Sequence, residues 1–212
     1  MSHMVTQICR VARNQLFGQK LGKLAAPAMH TTEPLDFEHV FEGLFLRGLR
    51  SQLSDELKAA LKAQGLDLSQ RLRPAYPAPV LRGCIRAAAK LLYPEMPHGE
   101  GICQIGRAFF RGYVDTFIGR ATLAVLRLIG PRRTLERMQR NFRTGNNYIE
   151  TRFTTLAPQH VELWFNVTGD LALYCQGILE HGAELIGAKN TRVVQRPDVS
   201  GAGTLLDVQW DA

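Results

Sequence analysis

The chain predicts an α+β fold, with a helical N-terminal half packed on a C-terminal four-stranded antiparallel sheet. Three observations carry this. From Phe37 to Phe142 apolar residues recur at helical spacing. After Gly145-Asn146-Asn147 the apolar period becomes two. The remaining segments then follow in the order β-β-α-β-β, which lays helices over one face of a four-stranded sheet.

Each element has its own signal. Residues 1–35 read as a mobile basic tail, holding Arg10, Arg13, Lys20 and Lys23. A membrane-surface helix using Ile8, Val11, Leu16 and Phe17 is the alternative for that segment. The domain proper spans 36–212. Its first helix covers 37–50, where Phe37, Val40, Phe41, Leu44, Phe45 and Leu49 share a face and Asp36 is a plausible N-cap. A second helix starts after Ser54 and stops at Gly65. A loop bearing Pro74, Pro77 and Pro79 leads to a helix over 79–92, which Tyr93-Pro94 ends. A long helix spans 99–118 on the stripe Ile102, Ile105, Phe109, Tyr113 and Phe117, with Gly106 and Gly112 leaving room for a second backbone. Gly119 bends the chain into a shorter helix that Gly130-Pro131 stops. Thr134 caps the next helix, over 132–142, which turns Leu135, Met138 and Phe142 inward. Strands over 148–155 and 161–167 form a hairpin. A helix over 170–187 follows, then strands near 191–196 and 204–210.

The composition excludes several function classes. No apolar run approaches the roughly 18 residues of a membrane span, and the N-terminus lacks the order of a signal peptide, so a cytoplasmic location is expected. The cysteines, Cys9, Cys84, Cys103 and Cys175, form no C-x-x-C pair and have no histidine at zinc-finger spacing. They read as free thiols. There is no Walker motif, Gly-rich phosphate loop or paired-carboxylate signature, so no enzyme activity is expected. The net charge of +7 concentrates in the tail and in an arginine-rich stretch over 120–143.

The segments VFEGLFLRGL (40–49), GRAFFRGYVDTFIGRATLAVLRLIGPRRTLERMQRNFRTGNNYIETRF (106–153) and VELWFN (161–166) resemble a family of about 200 residues, expanded in myxobacteria, that has no assigned activity. The resemblance covers about residues 37–211. In layout the chain is also similar to the heme nitric-oxide/oxygen-binding (H-NOX), 4-vinyl reductase-like and TRAPP superfamily. That resemblance implies a ligand-binding or protein-docking module that tends to dimerise. It does not extend to heme. Such a domain needs a proximal histidine on the helix before the sheet, the helix over 132–142 has none, and the Tyr-x-Ser-x-Arg propionate clamp is missing.

Two groups of residues are then candidates. Cys84, Arg107, Phe110, Tyr113, Phe117 and Arg120 could line a pocket between the long helix and the sheet, with aromatic walls and an arginine for a carboxylate or phosphate. The plainer reading makes the aromatics core and pairs the arginines with Asp115 or Glu150. Arg133, Arg137, Arg140 and Arg143 could dock an acidic protein, while the plainer reading makes them a solvated face. Asn146 and Asn147 read as turn formers, His160 as a surface turn residue and His181 as a core histidine. The expectation is a non-enzymatic signalling or scaffold domain, homodimeric, holding a small hydrophobic or acyl-like ligand and no metal or heme. A regulatory interaction module with an unidentified protein partner, acting through the basic helix, is the alternative. Nucleic-acid binding comes third, because no aromatic platforms accompany the charges.

Overall fold

The computed structural model describes residues 33–211, apart from the side chains of Phe117, Ile118, Gln139 and Arg140. The basic tail and Cys9 lie outside the described residues. The helices are α1 Glu38–Phe41, continued by a π-helical stretch Glu42–Gly48, α2 Asp55–Ala63, α3 Ala78–Leu92, α4 His98–Val114, α5 Phe117–Glu136, α6 Met138–Gly145 and α7 Gly169–Leu185. The strands are β1 Leu35–Phe37, β2 Ala75–Pro77, β3 Thr151–Ala157, β4 His160–Phe165, β5 Lys189–Pro197 and β6 Thr204–Asp211.

The four-stranded sheet runs β3-β4-β6-β5, with every neighbouring pair antiparallel. The α+β architecture expected from the sequence is therefore present. Alternation along β4 buries Val161, Leu163 and Phe165, and the register sets Leu163 beside Phe153 on one side and Leu206 on the other. Helix α7 rests on this inner face, where Gln176 Nε2 donates to the Val193 carbonyl of β5 at 3.3 Å.

Close helix packing explains the glycines. A methyl group at Gly106 would overlap the Tyr174 carbonyl oxygen, and one at Gly177 would overlap the Cys103 carbonyl. The α4 and α7 backbones therefore touch. On its other side α4 meets the π-helical stretch, where Gly112 lies against the backbone at Gly43 and Gly48. The wider turn there is visible in the bond from Leu49 N to the Leu44 carbonyl, five residues back, at 2.8 Å. Phe41, Leu44, Phe45 and Leu49 remain fully buried through it.

Several boundaries differ from the sequence reading. Phe37 belongs to β1, which pairs with β2 in a short ribbon that the pattern does not signal. The break after the long helix falls at Asp115–Thr116, because Thr116 Oγ1 caps α5 by accepting from Gly119 N at 2.9 Å. Gly119 instead serves close approach to the Tyr113 carbonyl. Gly130 kinks α5 at φ 78°, and Thr134 is no cap, since its hydroxyl donates to the Gly130 carbonyl at 2.9 Å. The expected helix over 132–142 is interrupted at Arg137. Ser54 caps its helix as expected, its Oγ accepting from Leu57 N at 3.1 Å. His160 lies within β4, paired with Asp207 at 2.9 Å, rather than in a turn.

Candidate functional site

The C-terminal half of α4 carries an aromatic cluster. Tyr113 stacks on Phe109 with ring centroids 5.9 Å apart, and Phe110 stands edge-on to His181 of α7 at 6.3 Å. Phe109, Phe110 and Tyr113 are half-buried, while Ile102, Ile105 and Ala108 on the same helix are fully buried. Helix α5 continues the contrast. Leu123, Val125, Leu126 and Ile129 are half-covered and Leu128 is 87% exposed. The core is thus closed at the start of α4 and incompletely covered at its end.

Phe109 also packs against Tyr174 of α7 at 5.9 Å, which links the aromatic cluster to a buried polar one. Tyr174 is 3% exposed, and its hydroxyl has no hydrogen-bond partner. Beside it lie Cys175, Asp36 and Tyr148, whose charges would each oppose ionisation of Tyr174. Asp36 is 1% exposed, and its carboxyl accepts from the Tyr148 hydroxyl at 3.2 and 3.3 Å. Burial drives the Asp36 carboxyl up to about 7, while the Tyr148 bond and the Arg82 charge oppose that shift. Burial, and then the Asp36 charge, pushes the Tyr148 phenol upward. Its position ahead of an apolar helix gives Asp36 the look of an N-cap. It caps nothing, because the helix starts after Phe37 without a side-chain cap. Asn146 organises this region as a turn former, its Oδ1 accepting from Tyr148 N at 3.2 Å and Ile149 N at 2.7 Å.

The residues expected to line a pocket scatter around this centre. Phe110 and Tyr113 belong to the aromatic cluster. Cys84 is fully buried on α3, its thiol pushed up to about 12 by burial, which makes it an inert core group. Arg107 is consumed by α7, with Nε and Nη2 donating to Glu180 at 3.1 and 2.7 Å and Nη1 to Glu184 at 3.4 Å. Its partners are thus neither Asp115 nor Glu150. Arg120 donates to the Asp115 carbonyl at 2.8 Å. The side chain of Phe117 lies outside the described residues. The expected cleft between the long helix and the sheet is filled by α7, because Gly106 and Gly177 let its backbone close directly on α4.

Among the basic residues, Arg132 pairs with Glu136 at 3.4 Å and Arg143 with Glu150 at 3.8 Å. Arg133 and Arg137 are exposed and, among the described residues, have no acidic partner. The break at Arg137 separates Arg133 from Arg140, whose side chain lies outside the described residues. Both cluster members that the pattern misses, Asp36 and Tyr174, sit beside apolar neighbours in sequence. Nothing local distinguishes them from a cap and a core aromatic.

Residues 35–211 match the family described as "Protein of unknown function (DUF2378)". No curated protein matches significantly. Among solved structures, the chain is similar to the H-NOX protein of S. oneidensis in its Fe(II)NO ligation state, at 13% identity and TM-score 0.61, over 82% of this chain and 98% of that one. It is also similar to the Fe(II) unliganded H-NOX protein of K. algicida, at 10% identity and TM-score 0.59, over 82% of this chain and 95% of that one. At such identities the likeness establishes the fold.

Proposed function

This chain belongs to the DUF2378 family, whose function is unknown, and from that premise together with the H-NOX-like fold we propose a non-enzymatic signalling domain that takes a small hydrophobic ligand at the uncovered end of α4. One observation carries the reading. In a core where Phe45, Leu57, Leu61 and Ile105 are fully buried, the aromatic residues Phe109, Phe110 and Tyr113 and the apolar face of α5 stay half-covered. A fold used for ligand binding by its structural neighbours, with unfilled aromatic surface at one end of the core, favours a ligand over a purely structural role.

The ligand is not heme in this reading. Helix α6, ahead of the sheet, supplies Met138 and no imidazole. Phe142 of α6 stands edge-on to Phe165 of β4 with centroids 5.2 Å apart, so α6 packs an aromatic ring on the sheet. Among the described residues the histidines lie elsewhere, His39 on α1, His98 on α4, His160 on β4 and His181 on α7. These residues do not fit the group.

The test uses a fluorescent fatty acid as probe. The parent chain should bind it saturably, and Tyr113→Ala should weaken binding at least tenfold while its unfolding midpoint stays close to the parent's. Equal affinity in parent and variant sinks the proposal.

A second reading, the regulatory interaction module, rests on Arg133 and Arg137, exposed and without acidic partners among the described residues. Such charges suit an acidic protein surface and steer its encounter. Reversing both to Glu should abolish capture of an acidic partner and leave fatty-acid binding unchanged; persistent capture would count against that surface.

A further inference from the structure

Strand β1 is a short element with an unusual anchor. It pairs with β2 over three positions, Leu35 with Pro77, Asp36 with Tyr76 and Phe37 with Ala75. Its other side is held by the turn between α6 and β3. There Asn147 Oδ1 accepts from Leu35 N at 2.8 Å, Asn147 Nδ2 donates to the Glu33 carbonyl at 2.9 Å, and Asp36 bridges to Asn146. Three residues of strand contribute few backbone bonds, so side chains decide whether this joint stays shut.

The side chain at its centre is a buried carboxyl with few donors. An ionised carboxylate can accept about four hydrogen bonds. Asp36 receives one donor group, the Tyr148 hydroxyl, at long range. The groups facing it come from three elements. Helix α3 contributes Arg82, an exposed side chain whose guanidinium lies 5.8 Å from the centre of the Tyr148 ring. The α6–β3 turn contributes Tyr148. Helix α7 contributes Tyr174 and Cys175, both buried and both held neutral, chiefly by burial. Tyr76, opposite on β2, is engaged elsewhere, its hydroxyl accepting from Arg73 N at 3.0 Å. His39 lies near Glu42, Glu38 and the Thr144 backbone. No cation among the described residues makes a hydrogen bond to Asp36. A charge at this position would therefore be buried without adequate partners, and such a charge favours any state that readmits water.

We infer that the junction of β1 with the α6–β3 turn is a proton-operated latch, closed while Asp36 is neutral and opened by its ionisation. The Tyr148 hydroxyl on the carboxyl supports this, because a phenol oxygen can also accept the bond that a protonated Asp36 has to give. The direction of the pH response follows from linkage. The closed junction holds its proton up to about pH 7, whereas an opened, solvated Asp36 releases it near the ordinary value of 3.8. Between those limits opening should rise about tenfold per pH unit, and above about pH 7 it should level off. The latch is independent of the small hydrophobic ligand, since it needs no occupant.

Hydrogen exchange on the full chain tests it. After correction for intrinsic exchange, the amides of Leu35, Tyr148 and Ile149 should lose protection about tenfold per pH unit from about pH 5 to pH 7 and then plateau. In Asp36→Asn, which keeps the shape and cannot ionise, the same amides should show flat protection. A flat profile in the parent overturns the latch, and so does a slope in Asp36→Asn equal to the parent's. Should that variant fail to fold, the carboxyl carbon resonance of Asp36 in the parent decides the matter. A raised midpoint that the Asn147 side-chain amide resonances share supports the latch, because that amide holds the junction shut; a midpoint near 3.8, or a raised one that Asn147 does not follow, overturns it.

Discussion

Adding one methyl group to α4 should have opposite effects at two glycines a turn and a half apart. Gly101 and Gly106 both lie inside the helix, and at either site alanine removes the backbone freedom that glycine has in the unfolded chain, a gain of up to about 1 kcal/mol. Their surroundings differ. A Cβ at Gly101 would meet Tyr93 Cβ at 3.5 Å and Ala89 Cβ at 3.7 Å, which is ordinary contact. A Cβ at Gly106 would overlap the Tyr174 carbonyl oxygen and lie 3.1 Å from Ile178 N, and both of these are backbone atoms of α7. No rotamer change relieves such an overlap, so the helices must separate. Overpacking of a filled core costs about 1–3 kcal/mol even where side chains can adjust, and separation here also strains the Arg107–Glu180 pair. We therefore expect Gly101→Ala to stabilise the chain by about 0.5–1 kcal/mol and Gly106→Ala to destabilise it by about 2–3 kcal/mol. Urea unfolding followed by circular dichroism reads both, with equal slopes in the two variants showing that the denatured state is unchanged. If Gly106→Ala is neutral or stabilising, the argument that α4 and α7 meet backbone to backbone is wrong.

The pH dependence of global stability should also report on Asp36. The folded chain keeps a proton on this carboxyl that the unfolded chain releases, so this group's contribution falls as pH rises from about 4 to about 7 and is constant above. With a folded value of about 7, Asp36→Asn should gain about 3 kcal/mol over the parent between pH 5 and pH 8, at about 1.4 kcal/mol per pH unit up to the folded value. An unchanged difference across that range would refute the burial argument. At the α4–α7 seam, Arg107→Ala should cost about 1–2 kcal/mol by leaving Glu180 with the neutral Gln176 amide and no cation, and adding Glu180→Gln should recover part of that loss. Additive losses in this double-mutant cycle would show that the pair does not couple.

How far the chain can be read locally differs between fold and site. The first helix is legible because Phe41, Leu44, Phe45 and Leu49 recur at helical spacing, although that pattern cannot distinguish a 3.6-residue turn from the wider π turn observed. The sheet is legible from Val161, Leu163 and Phe165, since strict alternation places every second side chain on one face only in an extended strand. Gly106 signals a close approach, but its partner is chosen by packing. Asp36 shows the limit most clearly. A carboxylate ahead of an apolar helix has the signature of an N-cap, and only its enclosure by elements distant in sequence converts it into a buried acid.

By itself, the sequence determined the α+β class, the order of the main helices and of the four sheet strands, and their inward faces, because hydrophobic periodicity acts over a few residues. Tertiary structure alone decided that α7 occupies the space between the long helix and the sheet, that Arg107 is paired with Glu180, and that Asp36, Tyr148 and Tyr174 share one interior. Arg107 and Glu180, and Asp36 and Tyr148, are 70 or more positions apart along the chain, and burial and charge at such a meeting depend on every element that closes around it.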